Sequence, residues 1–175
     1  ERVYKELSEI YGTETPTSAP VKYEDLHHMN YMDRVIKETM RLFPTVPMIS
    51  RQLSKDLQIG DSILPKNTNV ILAFMRMYRN EKYWPNPLKF DPDRFLPERI
   101  KDYHSYYYIP FNDGPRTCIG ARYAMISMKV ILATLVRTFV FKVDRRVQIN
   151  EIKLKTDLFI STVEPLKCRI EKRDL

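Results

Sequence analysis

The segment that most limits how this chain can fold runs from Phe111 to Phe139. A ten-residue loop bearing one cysteine leads directly into an unbroken helical pattern. Ala121, Ala124, Met125, Met128, Ile131, Leu132, Leu135, Val136 and Phe139 form a wide apolar stripe, which predicts the main helix. Upstream, Val3, Leu7, Ile10 and Tyr11 predict a first helix stopped by Gly12, and Thr13 to Pro20 reads as a Ser/Thr/Pro loop. A second helix is expected from near Tyr31 to Leu42, with Met32, Val35, Ile36, Thr39 and Phe43 along one side. Pro44 and Pro47 end it, because proline removes a donor and pushes the preceding residue to an extended shape.

The next stretch reads as sheet. Leu57, Ile59, Ile63 and Leu64 flank Gly60-Asp61, a short hairpin signal, and Asn69 to Ala73 is rich in β-formers. Tyr83 to Asp113 is long and irregular, carrying Trp84, Pro85, Pro87, Pro92, Pro97 and Pro110. Loops of that length are uncommon and are usually functional. From Val140 to Ile170, short alternating runs such as Phe141–Val143 and Phe159–Ser161 predict small strands. The expected class is α+β, mainly helical with small β-sheets, as one domain over residues 1–175. Twelve prolines against four glycines favour fixed turns over flexible linkers.

A net charge of +7 is compatible with nucleic acid, an anionic membrane surface or an acidic protein. The basic residues are scattered and no nucleic-acid motif is present, so no nucleic-acid partner is expected. Cys118 and Cys168 do not make a disulfide framework, and a reduced, cytosol-facing chain is the simpler expectation. Val130 to Val136 is too short an apolar run for a membrane span. The start at Glu1, without methionine or signal pattern, reads as a cut inside a longer protein.

The loop Phe111-Asn112-Asp113-Gly114-Pro115-Arg116-Thr117-Cys118-Ile119-Gly120 has the parts that a thiolate iron ligand needs. A helix N-terminus offers unpaired N–H groups and a favourable dipole to the sulfur. Gly114 and Gly120 allow the backbone to pass close under a flat macrocycle. Arg116 can grip a carboxylate with two prongs, and haem carries two propionates. Phe111 can pack beside the ring and keep water from the sulfur. The plainer reading is a structural cysteine at a helix start. Phe, Gly, Arg, Cys and Gly at positions 111, 114, 116, 118 and 120 nevertheless match a specific pattern. The chain resembles the cytochrome P-450 superfamily in its signature Phe-x-x-Gly-x-Arg-x-Cys-x-Gly. It is identified from this loop as a C-terminal part of that fold.

The resemblance extends over the whole chain. Glu38 and Arg41, at i and i+3, would ordinarily be a surface pair adding about 0.2–0.5 kcal/mol. They match the family's Glu-x-x-Arg element, which implies a buried triad with Arg94 of Phe90-Asp91-Pro92-Asp93-Arg94-Phe95. Asp93 stands where glutamate is usual. The resemblance implies that Cys118 is the catalytic metal ligand. It also assigns Arg116, Arg51, Phe111, Gly114, Ile119, Gly120 and Ala124 to the cofactor, haem b. Val46, Pro47 and Met48, with Leu158 and Phe159, correspond to substrate-pocket segments. Tyr83-Trp84-Pro85-Asn86-Pro87 is similar to the family-four branch, insect members included, and Tyr78 stands where relatives often have histidine.

Implied by the family is a monooxygenase acting on a fatty acid, steroid-like molecule or xenobiotic. Electrons would come from NADPH through NADPH-cytochrome reductase, with a cytochrome b-type protein as a second donor. The implied location is the cytosolic face of the endoplasmic reticulum membrane, through an N-terminal anchor not in this chain. Arg122 and Lys129 are seven residues apart and share a helix face. Solvated charge is their ordinary explanation, and contact with an acidic reductase is the sharper one. No acid–alcohol pair on a long helix is found, so the fragment alone is expected to be inactive. A haem-thiolate sensor or electron carrier is the alternative, and turnover of a lipophilic substrate by the whole protein would separate the two.

Overall fold

Gly12 ends the first helix through its backbone freedom. In the computed structural model, which describes residues 1–173, α1 (Arg2–Tyr11) stops where Gly12 takes φ +60°. Its N–H donates to the Ser8 carbonyl at 2.9 Å. The last two residues of the expected domain lie outside the described residues. Helix α2 (Asn30–Leu42) buries Met32, Ile36 and Leu42 as an apolar period requires, but it also buries Glu38 and Arg41. Thr39, expected on the apolar side, is exposed, and its hydroxyl donates to the Val35 carbonyl at 2.8 Å. The inward face is turned toward Glu38 and Arg41 because both grip the irregular segment described below.

Strands β1 (Ile49–Gln52), β2 (Leu57–Ile59), β3 (Ser62–Leu64) and β4 (Asn69–Leu72) make two antiparallel ribbons, β1 with β4 and β2 with β3. The β2–β3 turn is Gly60-Asp61, with φ +56° at Gly60. Positive φ at the first loop position matches the twist of a two-residue hairpin. Arg51 faces Val70 across the β1–β4 register. Directly after β4 comes a short helix, α3 (Phe74–Tyr78), which the sequence pattern does not announce.

Between α3 and the cysteine loop the chain is irregular, as its prolines demand. It contains only single turns and a four-residue helix, α4 (Pro97–Ile100). What orders it is an aromatic cluster around Trp84, which is fully buried. Its indole stacks on Tyr103 at 4.9 Å between centroids, and Phe95 meets Tyr108 at 4.7 Å. Each such pair adds about 0.5–1.5 kcal/mol beyond the area it buries.

Helix α5 (Ala121–Thr138) then crosses the core. Leu7, Leu26, Met29, Met32, Ile36 and Ala133 are buried together, with Met125, Met128 and Leu132 packed against them. Burying each large side chain in this cluster contributes about 1.5–3 kcal/mol. The predicted stripe is covered on one side only, since Ile131 and Leu135 are exposed. Phe139, expected as its last member, instead opens β5 (Phe139–Lys142). The remaining strands, β6 (Leu154–Thr156), β7 (Ile160–Thr162) and β8 (Arg169–Lys172), pair as β6 with β7 and β5 with β8. The architecture is α+β with small antiparallel sheets. Among the described residues, no helix is long and apolar enough to cross a membrane.

Candidate functional site

The cysteine loop is held by its own backbone. Cys118 N–H donates to the Phe111 carbonyl at 2.8 Å, closing the loop at its neck. Thr117 adds its hydroxyl to the Phe111 and Asn112 carbonyls at 3.3 and 3.2 Å. Asn112 takes φ +64° and its amide donates to the Arg116 carbonyl at 3.0 Å. Asparagine tolerates the left-handed region better than most side chains. Gly114 follows at φ +73°, where a side chain would be strained. Gly120 has ordinary φ, and a Cβ there would meet Cys118 Sγ at 3.8 Å, a normal contact. The loop then passes into α5, whose first residue is Ala121.

This loop forms one wall of a cavity of about 440 Å³. Its lining includes Val46, Ile49, Phe74, Phe111 and Met128. Cys118, Ala124 and the guanidinium-bearing Arg51 and Arg116 open onto the same space. Its size falls in the roughly 300–1,000 Å³ range of small-molecule sites. The Arg51 Nη1 donates to the Ser50 carbonyl at 2.9 Å, which leaves the rest of the fork for a ligand. Neither Arg51 nor Arg116 has a carboxylate partner among the described residues. An apolar space with one thiol and two unpaired guanidiniums has the right donor set for a flat, apolar, iron-bearing ring with two carboxylates. The residues present therefore fit haem. A larger cleft, about 1140 Å³, lies between Val143 and Lys167, but it holds no thiol and is remote in sequence from the loop.

The other residues expected at the site are placed unequally. Val46 lines the cavity, while Pro47 is buried behind it, its carbonyl accepting Met75 N–H at 3.0 Å. Met48, Leu158, Phe159 and Ile119 are exposed. Ile160 N–H donates to the Thr45 carbonyl at 2.9 Å, so the turn carrying Leu158 and Phe159 is fastened beside the segment carrying Val46. Met40, Pro44, Ile49, Phe74 and Met128 also line the cavity, and sequence reading missed them. Met40, Pro44 and Ile49 could have been marked by the proline-broken end of α2 and Met128 by its place on α5, whereas no local signal marks Phe74 in α3.

The structure brings Glu38, Arg41 and Arg94 together. Glu38 and Arg41 have no exposed surface. Arg41 Nε and Nη2 reach the two Glu38 oxygens at 2.7 and 2.8 Å, a bidentate pair. Arg94 Nε lies 3.5 Å from Glu38 Oε1, close enough for charge attraction but poorly aligned for a hydrogen bond. Glu38 Oε1 also accepts Asp91 N–H at 2.9 Å. The spare Arg41 donors reach main-chain carbonyls of Tyr78 at 2.7 Å and Pro87 at 2.8 Å. Arg94 Nη2 reaches that of Asn86 at 2.8 Å. The cluster thus ties α2 to the irregular segment that delivers the cysteine loop.

Lys129 differs from its expected solvent-facing role. Its ammonium lies 2.9 Å from Asp33 and 3.3 Å from the Leu26 carbonyl, because α2 and the turn before it cover this end of the face that it shares with Arg122. Arg122 remains outside, its guanidinium donating to the Tyr23 hydroxyl at 2.6 Å.

The Cytochrome P450 family model matches residues 1–169, and the chain belongs to that family. Its relatives place it near the family-four branch. It is 36% identical over 175 residues to cytochrome P450 4g15 of Drosophila melanogaster, covering 99% of this chain and 30% of that protein. It is 39% identical over 177 residues to cytochrome P450 4c21 of Blattella germanica, covering 99% and 34%. With cytochrome P450 4V2 of Mus musculus it shares 37% over 172 residues, covering 98% and 32%. The chain spans about a third of the length of the curated relatives it matches.

Proposed function

We propose that the protein carrying this chain is a haem-thiolate monooxygenase that transfers one oxygen atom from O2 to a lipophilic substrate. The substrate class is a fatty acid, steroid-like molecule or xenobiotic. Electrons come from NADPH through NADPH-cytochrome reductase, with a cytochrome b-type donor as a second source, at the cytosolic face of the endoplasmic reticulum. The observation that supports this reading is one apolar cavity shared by Cys118, Arg51 and Arg116. The cofactor, haem b, supplies the oxygen activation when bound.

The chain's own residues supply binding and orientation. Cys118 holds the metal through its sulfur. Arg116 and Arg51, which line the cavity, would pair with the two carboxylates of the bound group. Cys118 is exposed in the structure, so Phe111 would flank the bound group without covering the sulfur, and Ala124 would border the group on the α5 side. Gly114 lets the loop backbone turn at φ +73°, while Ile119 and Gly120 carry the loop into α5. Val46, Pro47 and Met48 shape the substrate side, joined by Leu158 and Phe159 from the fastened β6–β7 turn. Glu38, Arg41 and Arg94 keep the whole loop in place from behind.

The test is Cys118→Ser in the whole protein, read by the reduced carbon monoxide difference spectrum. Wild-type protein should give the strongly red-shifted Soret band of a thiolate ligand, and the variant should lose it. A folded, loaded variant with the native band would overturn the reading.

A further inference from the structure

Tyr78, the last residue of α3, is fully buried and is held at both ends. Its carbonyl accepts Arg41 Nη1 at 2.7 Å. Its phenolic oxygen accepts the N–H of Ile109 at 3.0 Å. Ile109 stands just ahead of the cysteine loop, and its own carbonyl accepts Asn112 N–H at 3.0 Å. Pro110 has no N–H, so the Ile109 amide is the last main-chain donor before Phe111, whose carbonyl closes the loop onto Cys118. One residue thereby links the buried Glu38–Arg41 pair to the entrance of the loop.

The ring itself is fixed. It lies 6.2 Å from Phe74, a cavity wall, and 5.7 Å from Tyr108. Burial pushes the Tyr78 phenol above its usual range, outweighing the opposing effect of the Ile109 contact, so it stays a neutral hydroxyl.

We propose that Tyr78 is a positioning residue for Cys118, its phenolic oxygen setting where the loop begins and so how the sulfur is presented to iron. This rests on the haem-thiolate reading. Removing the oxygen leaves the ring packing intact but frees the Ile109 amide, and the neck of the loop can then shift. A buried tyrosine with a merely structural role would affect stability without touching the iron–sulfur bond.

The experiment compares haem-loaded whole protein as wild type, Tyr78→Phe and Tyr11→Phe. The Tyr11 hydroxyl donates to Asp25 at 2.7 Å and shares no contact with the loop, so its loss is a control for stability alone. Amide exchange over Ile109–Cys118 should be about five- to tenfold faster in Tyr78→Phe, the effect of losing one neutral hydrogen bond. In mild urea the same variant should convert more readily from the thiolate-type to the unshifted carbon monoxide band. Tyr11→Phe should do neither. Wild-type exchange and spectra in Tyr78→Phe, or equal changes in both variants, would refute the positioning role while the wild-type band upholds the site. A wild-type protein lacking the thiolate band would refute the site reading and this assignment with it.

Discussion

Replacing Glu38 by alanine tests the buried ion cluster that Glu38, Arg41 and Arg94 form among the described residues. The carboxylate accepts two bonds from Arg41 at 2.7 and 2.8 Å and one from Asp91 N–H at 2.9 Å, and it faces Arg94 at 3.5 Å. Truncation leaves Arg41, with no exposed surface, as a buried cation among carbonyls. Breaking a buried pair from one side costs about 3–5 kcal/mol. The orphaned Asp91 amide adds about 1–3 kcal/mol if water cannot reach it, although the two losses share neighbours and will not sum fully. Against a total stability of about 5–15 kcal/mol, that is a large fraction. The variant should load little haem and show a markedly lower urea midpoint in the whole protein. Glu38→Gln keeps an acceptor for Asp91 but not the charge, and should fall between. Haem content equal to wild type in Glu38→Ala, with a midpoint loss worth less than about 1 kcal/mol, would refute the idea that this ion cluster holds the segment.

Two other expectations concern the packing around α5. Burial disfavours ionisation of Asp33, but hydrogen bonds from Lys37 and Lys129 outweigh it and hold the carboxyl below its usual value. That stabilisation is complete above the ordinary carboxylate range and is lost as pH falls through the lowered value. The melting-temperature gap between wild type and Asp33→Asn should therefore be widest near neutral pH and close in acid; a gap independent of pH would contradict it. Arg137 is buried over the Tyr11 ring at 3.8 Å, and its two Nη groups reach the Ala19 and Glu14 carbonyls at 2.8 and 2.9 Å. Lysine cannot span both, so Arg137→Lys should cost about 1–3 kcal/mol and speed proteolysis between Thr13 and Pro20.

The long elements and the cysteine loop could be read from sequence because their signals are local. Gly12 and Gly60 mark a stop and a turn through their backbone freedom, and the period in α5 spans several turns. Helix α3 was invisible, because five residues after a β-rich run carry no period. The pairing of β5 with β8 was likewise hidden, since short alternating runs do not encode their partners. At the site, the loop residues stood out by spacing, whereas the cavity walls from Met40, Ile49, Phe74 and Met128 are ordinary apolar positions until the chain is folded. The inward turn of Lys129 depended on where Asp33 sits, and the one-dimensional pattern does not contain that.

Arg41 and Arg94 seize their neighbours by peptide oxygens, which every amino acid owns. The side chain of Lys89 takes no part in that grip and is free to change, whereas Asn86, at φ +50°, and the ring of Pro87 shape the path that presents their carbonyls to it.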